Sequence, residues 1–441
     1  MKIKIDKDDI VKITSNSLTL FRTGIKSKAT RETYEKRLKE VLCGYLENYL
    51  KGDHNLVEKQ IQDRLALGNK RKISSVLDAD FEIRANEFVK LAKENPDEIT
   101  QLLLTVCSKL KERCDKPEND PDYLNPNTIP NIFKPIKKLL KMNGVHFEWS
   151  HIDSSYPEAK YNTETRGYTR EEISQILNFT NPLESAVTYI ASSSGIRRGG
   201  FEFTWDCIIP VYRKEDDLIM GNYNDTNDED LVCGMISIYK GTNEQYLGFI
   251  TPEALRGIKN YAVAWRADTF RDPQPKDPFL KKTGSNVLAL NPNAMAKRME
   301  KVSKKSKVRS QLTGEERLHE IPIMNGFRRY FNKINKESFS EDSTLASLIK
   351  KEMMMSHTGL IKLDKNYFKT QWKELTEEYL KAVPALTISS EERNKAEVRK
   401  LRKERITQDQ LKEQIKAELR EENKEIKEYL KKEQEKINKK K

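Results

Sequence analysis

Two short segments near the middle of this chain alternate apolar and polar side chains, the period of two that is typical of β-strands. The first begins at Cys233 (CGMISIYK) and the second at Gln245 (QYLGFIT), and Gly-Thr-Asn-Glu separates them. Elsewhere the apolar residues recur mostly at spacings of three and four, which is typical of amphipathic helices. One hairpin among many helical segments predicts a mainly α fold with a small antiparallel β-sheet, of the α+β class.

Three regions of helical periodicity lie in the first third of the chain. They run from Thr30 to Tyr49, from Phe81 to Val106 and from Ile132 to Leu140. The segment from Lys116 to Pro130 carries four prolines and predicts a loop. We expect this part of the chain to form a helical domain with its own core.

Helix-start signals mark a second domain. Thr169 and Glu172 form a capping box, and Thr251 followed by Pro252 predicts the start of another helix after the hairpin. Residues 391–441 contain no Gly, Pro, Cys or Phe, and a thin apolar stripe runs through their mostly charged sequence. This tail is either a solvated helix or a short coiled coil.

These patterns divide the chain into five segments. A polar stretch that contains a proline and basic residues is typical of an exposed linker between domains. The predicted segments are a lead at 1–27, a helical domain at 28–150, a linker at 151–167, a second domain at 168–388 and a charged helical tail at 389–441.

The charge balance indicates a polyanionic partner. The 441 residues include 80 Lys and Arg against 68 Asp and Glu, a formal net charge of +12. Charged residues make up 34% and apolar residues 37%, so the chain is expected to be folded but heavily solvated. Nucleic acid is the usual partner of such a surface, and a basic surface kept for solubility is the alternative.

Other classes of protein fit the sequence poorly. The five cysteines are scattered without a CxxC pair, which argues against a disulfide framework and against a zinc site. No apolar run approaches the roughly 18 residues that span a bilayer, and the first residues lack a signal-peptide apolar region. We therefore expect an intracellular, cytoplasmic protein associated with DNA and not with a membrane.

Three basic residues occupy defined positions in the second domain. Arg197 follows a glycine at a helix end, Lys240 begins the hairpin turn, and Arg328 lies on an amphipathic helix. Arginine neutralises phosphate oxygens with a planar pair of donors, and a lysine can protonate a leaving alkoxide. Each also has an ordinary explanation: a capping cation, a solvated turn residue and half of a surface ion pair.

The stretch from Met353 to Lys369 offers one imidazole, His357, and one phenol, Tyr367, ten positions apart. A tyrosine is a poor nucleophile at neutral pH because its pKa is near 10, so a catalytic one needs cations around its target. Alone, the pair is as typical of ordinary core residues as of a site.

In chain order, these features together resemble the tyrosine recombinase, or phage integrase, family, and most closely its archaeal integrases. The family's TGxR is similar to Ser194–Arg197, and its GKGxK hairpin to YKGTN, which puts Lys240 at the catalytic lysine. Its HxxRH is similar to Asn325–Arg329, its LGH to Met355–His357, and its nucleophile falls on Tyr367.

Three positions depart from the family pattern. The acidic residue three places after the first arginine is Gly200 here, unless Glu202 replaces it. The first histidine of HxxRH is Asn325, which can hydrogen-bond to a phosphate oxygen but cannot shuttle a proton. The last histidine of the same motif is Arg329.

The resemblance implies a site-specific recombinase that cleaves DNA through a 3′-phosphotyrosyl intermediate, without metal or ATP. Tyr367 would be the nucleophile, Arg197, Arg328 and His357 would hold the phosphate with help from Asn325, and Lys240 would be the general acid. A catalytically silent DNA-binding protein of this fold and a type IB topoisomerase-like enzyme are the alternatives.

The resemblance also implies partners. Strand exchange joins two duplexes at attachment sites, typically of a mobile element, and needs four protomers. The segment from Glu374 is expected to pack onto a neighbouring protomer, although packing within its own chain fits the pattern equally. The basic run from Lys297 to Arg309 is expected to follow a phosphate backbone, with a solvated face as the alternative.

Overall fold

The computed structural model describes residues 16–50, 76–160, 165–215, 217–222, 230–310, 319–338, 344–357 and 371–438. They form two compact units, one containing the described residues up to 160 and the other those from 165 onward. Each unit has its own apolar core.

The N-terminal unit is helical. Its core contains Phe21, Leu38, Phe88 and Phe133, all of them fully buried. The helices are α1 Ser17–Thr23, α2 Lys28–Glu40, α3 Val76–Glu94, α4 Pro96–Cys114, α5 Ile129–Met142 and α6 Ser150–Ser154, with a π-helical turn at Val41–Tyr45 and a 3₁₀ turn at Pro126–Thr128.

The N-terminal unit uses segments that the sequence patterns leave outside the helical domain. α1 lies in the predicted lead, and its Leu18 and Phe21 are buried in the core. α6 lies at the start of the predicted linker, and Ile152 is fully buried there. Each segment is only five to seven residues long, so its periodicity is too short to detect.

The second unit is mainly helical as well. The capping box of Thr169 and Glu172 and the start of a helix at Thr251 and Pro252 are confirmed. Its helices are α7 Arg170–Leu177, α8 Pro182–Ser194, α9 Pro252–Thr269, α10 Pro292–Lys305, α11 Ile323–Glu337, α12 Leu345–Met354, α13 Trp372–Leu380, α14 Val383–Leu386 and α15 Ser390–Asn438.

A four-stranded antiparallel sheet completes this unit. Its strands are β1 Ile208–Lys214, β2 Asp217–Met220, β3 Leu231–Ile238 and β4 Tyr246–Ile250, in the order β2-β1-β3-β4. The predicted hairpin is β3 and β4, and the α+β fold class is confirmed. β1 and β2 were not predicted: Pro210 interrupts β1, and the burial of β1 does not alternate strictly.

The segment from Glu374 packs within its own chain. Leu375 and Tyr379 of α13 are buried in the core of the second unit, and the Tyr379 hydroxyl donates a hydrogen bond to the carbonyl of Ser193, 2.9 Å away. Burial raises the pKa of Tyr379 well above its ordinary value. The sequence pattern fits packing onto a neighbouring protomer and packing within the same chain equally well, and in this single chain the segment packs against its own unit.

Within the described ranges, no helix is both long enough and apolar enough to cross a membrane. α15 has the length, but its sequence is mostly charged.

Candidate functional site

Arg197 reaches the surface because of the way α8 ends. Gly195 adopts the left-handed conformation with φ +59°, and a Cβ at this position would lie 2.5 Å from the Phe331 ring. The turn buries Ile196 and exposes Arg197. The guanidinium of Arg197 makes no hydrogen bond or ion pair with any described residue, so it is available to an anion.

Arg328 is held by backbone carbonyls and an imidazole. It lies on α11 beside the buried Phe327 and is 8% exposed. Its Nη1 donates to the carbonyl of Gly195, and its Nη2 donates to the carbonyl of Met355, 2.7 Å away, and lies 2.8 Å from Nε2 of His357. Burial lowers the pKa of Arg328, and the nearby charge of Arg197 lowers it further.

Two positive charges therefore lie close together without an anion. No carboxylate in the described ranges lies within ion-pair distance of Arg197 or Arg328, so Arg328 is not half of a surface ion pair. Like charges repel each other, and a bound anion relieves that repulsion. The pair suits an oxyanion such as a phosphate group, since guanidinium groups donate to such oxygens two at a time.

His357 is linked to Glu352 and Lys336. Its Nδ1 lies 2.6 Å from Oε2 of Glu352, and Oε1 of the same carboxylate lies 2.8 Å from Nζ of Lys336. Burial alone would raise the pKa of Glu352, but the hydrogen bonds with Lys336 and His357 outweigh it and lower the pKa. The imidazole is thus fixed between a carboxylate and Arg328.

Two tyrosines near the arginines were missed by the sequence analysis. Tyr239 directly follows β3 and Tyr246 is the first residue of β4, and their ring centroids are 6.2 Å apart. Burial raises the pKa of both, that of Tyr246 to about 12, although the charges of Arg197 and Arg328 act in the opposite direction. The Tyr246 hydroxyl is buried near Arg328, which lowers the pKa of this phenol by its charge and by a hydrogen bond, but less than burial raises it. The only available signal was their position at either end of the hairpin turn.

Lys240 lies in the hairpin turn, as predicted. Its Nζ is 3.1 Å from Oδ2 of Asp206, and Nζ of Lys276 is 2.9 Å from the same oxygen. A hydrogen bond from Thr204 and those from the two lysines lower the pKa of Asp206 far below its ordinary value. No described contact joins Lys240 to Arg197, Arg328 or His357, so the structure does not bring the lysine into their cluster.

An open cleft of about 520 Å³ brings Asn325 together with the two arginines. α10 forms another part of its wall through Lys297 and Glu300. Lys297 belongs to the predicted basic run, and its place beside the arginines could not be predicted because α10 and α11 are separated by a long connection. Arg309, at the end of the same run, donates to the carbonyl of Ile321, 2.6 Å away, and so has a structural role.

The three departures from the family pattern have different environments. Gly200 is buried, and a Cβ there would lie 2.7 Å from the Ile196 side chain, so no larger residue fits without a shift. Glu202 is exposed and makes no ion pair with a described residue. Arg329 donates to the carbonyl and hydroxyl of Thr165, which ties α11 to the segment before α7.

Tyr367, the predicted nucleophile, lies outside the described residues. The described part of the site therefore comprises Arg197, Arg328, Asn325 and His357, with Lys240 in a separate cluster beside Asp206.

The chain matches no protein-family model and no curated protein. It is similar to the crystal structure of XerA recombinase, with 11% identity, a TM-score of 0.31 and coverage of 67% of this chain and 96% of that one. The pre-cleavage complex of XerH site-specific recombinase with its difH substrate has 11% identity and a TM-score of 0.36, and the match covers 86% of this chain and 98% of that one. The post-cleavage complex of XerH with a palindromic difH substrate has 12% identity and a TM-score of 0.37, and the match covers 82% of this chain and 96% of that one. Similarity this low assigns neither a family nor an activity.

Proposed function

We propose that this chain is a site-specific DNA recombinase of the tyrosine type, which cleaves and rejoins DNA without metal or ATP. One observation carries the proposal: Arg197 and Arg328 line one cleft, the charge of Arg197 lowers the pKa of Arg328, and neither arginine has a carboxylate partner among the described residues. Such a pair suits a phosphodiester whose charge grows during the reaction. The order of the motifs along the chain supplies the reaction type.

In this proposal the hydroxyl oxygen of Tyr367 attacks the scissile phosphorus and forms the 3′-phosphotyrosyl bond. The bond between phosphorus and the 5′ oxygen breaks, and the electron pair leaves with that oxygen. For this step the hairpin turn moves, so that Lys240 loses its contact with Asp206 and contacts the leaving 5′ oxygen. Lys240 then donates the proton that makes the 5′-hydroxyl. Arg197 and Arg328 bind the non-bridging oxygens, and Asn325 and His357 contribute further contacts.

Double-stranded DNA at attachment sites is the proposed substrate. The net charge of +12 and the exposed Lys297 at the edge of the cleft favour a duplex with its phosphates along α10. Assembly of four protomers on DNA, a role in the integration or excision of a mobile element, and the likeness to archaeal integrases are further predictions.

The test is covalent capture on DNA. A pool of nicked duplexes with a randomised target region lets the cleaved flank diffuse away, so that a protein–DNA adduct accumulates whatever the sequence of the target site. We expect an adduct from the unmodified protein, none from Tyr367→Phe and a strong reduction in Arg328→Lys. Arg213→Lys is the matched control, because Arg213 forms a surface ion pair with Glu377 at 2.8 Å.

Each other outcome of this experiment selects a different function. DNA binding without an adduct favours the catalytically silent protein, for which Asn325 in place of histidine is the supporting observation. An adduct together with relaxation of supercoiled DNA by the monomer favours the topoisomerase-like enzyme. An adduct that persists in Tyr367→Phe rules out the proposed nucleophile.

A further inference from the structure

The hydrogen bonds around His357 determine where its proton lies. A guanidinium only donates hydrogen bonds, so Nε2 of His357, 2.8 Å from Nη2 of Arg328, must accept. The ring proton is then on Nδ1, from which it is donated to Glu352 at 2.6 Å. The imidazole is therefore neutral in this arrangement, and its lone pair faces the arginine that lines the cleft.

This geometry differs from that of a histidine that acts as a cationic phosphate ligand. A second proton on Nε2 would place two donors, Arg328 and His357, against each other. A phosphate in the cleft would attract the Nη2 donor of Arg328, and the lone pair of His357 would then be free to accept a proton. The neighbouring Asn325 cannot take that role, because a carboxamide does not accept a proton at ordinary pH.

From these contacts we infer that the Glu352–His357 pair is the proton acceptor of the site, with Glu352 as the positioning residue. The inference rests on the proposed function and gives His357 a more specific role. As the Tyr367 oxygen bonds to phosphorus, its proton moves to Nε2 of His357, while the 5′ oxygen leaves and takes a proton from Lys240. Glu352 holds the Nδ1–H tautomer and balances the imidazolium charge, and religation reverses both transfers.

The charged and titratable groups around the pair come from four elements. α11 contributes Arg328 and Lys336, and α12 contributes Glu352 itself. β4 contributes Tyr246, near Arg328. The acids of α13 face other partners: Glu374 lies 3.0 Å from Lys350 and Glu378 lies 3.7 Å from Lys351. Among the described residues, Glu352 is therefore the anion that acts on His357.

Two measurements on the full chain test the inference. The first is ¹⁵N NMR of histidine-labelled protein, in which His357→Gln identifies one signal among the five histidines. We expect the Nδ1–H tautomer in the unmodified protein and a mixture of tautomers in Glu352→Gln. A dominant Nε2–H tautomer in the unmodified protein overturns the inference, and it does so whether or not the protein cleaves DNA.

The second measurement is the pH dependence of single-turnover adduct formation. A base acts when it is unprotonated, so we expect the rate to rise with pH. Removal of the carboxylate charge in Glu352→Gln should move this rise to lower pH and reduce the plateau rate roughly tenfold. Glu337→Gln is the control, because Glu337 is an exposed carboxylate whose ion pair, at 3.8 Å, is with Lys333 and not with His357.

The outcomes separate this inference from the proposed function. If the unmodified protein forms no adduct, the proposed function fails and the proton role fails with it. If the adduct forms but Glu352→Gln leaves the pH dependence unchanged, only the role of Glu352 and His357 is overturned. Thermal unfolding of each variant shows whether a lost rate reflects a lost fold, and Glu352→Asp, which keeps the charge, should restore part of the rate.

Discussion

The carbonyl oxygen of Gly195 accepts a hydrogen bond from the guanidinium of Arg328, so the end of α8 is joined to the middle of α11. The same glycine has φ +59° and packs against the Phe331 ring. One residue thus both exposes Arg197 and anchors Arg328. The positions of both arginines therefore depend on this turn.

Gly195→Ala should strongly destabilise the second unit. The left-handed conformation costs an alanine about 1 kcal/mol, and overpacking against Phe331 adds about 1–3 kcal/mol. Urea unfolding measures the loss in the free energy of unfolding. Gly241→Ala is the control: Gly241 also has a positive φ, +80°, but nothing lies within 4 Å of its Cβ position, so only the conformational cost applies. Equal losses in the two variants would contradict the packing argument.

Ser356→Gly should stabilise the protein. Ser356 precedes His357 and has φ +51°, a conformation that glycine adopts without strain. The family's LGH motif has glycine at this position. We expect a gain of about 0.5–1 kcal/mol in the free energy of unfolding, because relief of strain exceeds the greater flexibility of glycine in the unfolded chain. A loss of stability in urea unfolding would show that the serine hydroxyl contributes more than the conformation costs.

Much of this arrangement could be predicted from local patterns. The capping box of Thr169 and Glu172, the β3–β4 hairpin and the glycine at the end of α8 involve residues within a few positions of each other, where backbone geometry dictates the residue type. The order of Arg197, Lys240, Arg328 and His357 was sufficient to suggest a phosphate site, even though no single motif is specific.

The remainder depends on contacts that are distant in the sequence. Lys336 and Glu352 belong to different helices, and nothing in their local sequence shows that one carboxylate joins the lysine to His357. Tyr239 begins the hairpin turn and Tyr246 begins β4, positions with ordinary local explanations, so their place beside the arginines emerges only from the packing of the sheet. The pairing of Lys240 with Asp206 joins a turn to a residue 34 positions earlier.

Asp206→Asn should reduce stability in a pH-dependent way. The pKa of Asp206 is lowered in the folded state, first by the hydrogen bond from Thr204 and then by Lys276 and Lys240. A lowered folded-state pKa means that the carboxylate stabilises the fold above its ordinary pKa, about 4, and that this contribution is lost as pH falls below it. We expect a loss of about 1 kcal/mol at pH 7 that shrinks below pH 4. A difference independent of pH would contradict the charge-based explanation.

Lys240→Ala should be rescued by a better leaving group. If Lys240 protonates the 5′ oxygen, its loss should slow adduct formation on the order of 10²- to 10⁴-fold. A substrate with sulfur in place of that oxygen needs no proton, because a thiol has a pKa of about 8.5, far below that of an alcohol. Gel analysis of adduct formation should therefore show nearly equal rates for the variant and the unmodified protein on the sulfur substrate.

Lys276→Ala is the matched control for Lys240, since both lysines contact the same oxygen of Asp206. It should change the rate on either substrate by no more than about twofold, because Lys276 has no proposed contact with the leaving oxygen. A failure of the sulfur substrate to rescue Lys240→Ala would assign the lysine to binding instead of proton transfer.

The salt dependence of DNA binding tests the basic face of α10. Lys297 and Lys301 are one helical turn apart and exposed, and neither forms an ion pair with a described carboxylate. If both contact phosphates, Lys297→Ala with Lys301→Ala should weaken binding and reduce the slope of log K against log salt by about 1.8, since each phosphate contact contributes about 0.9. Lys395→Ala is the control, because Glu391 lies 2.6 Å from its Nζ and already neutralises that charge. An unchanged slope in the double variant would assign the face to solvent and leave the two arginines as the main contacts with DNA.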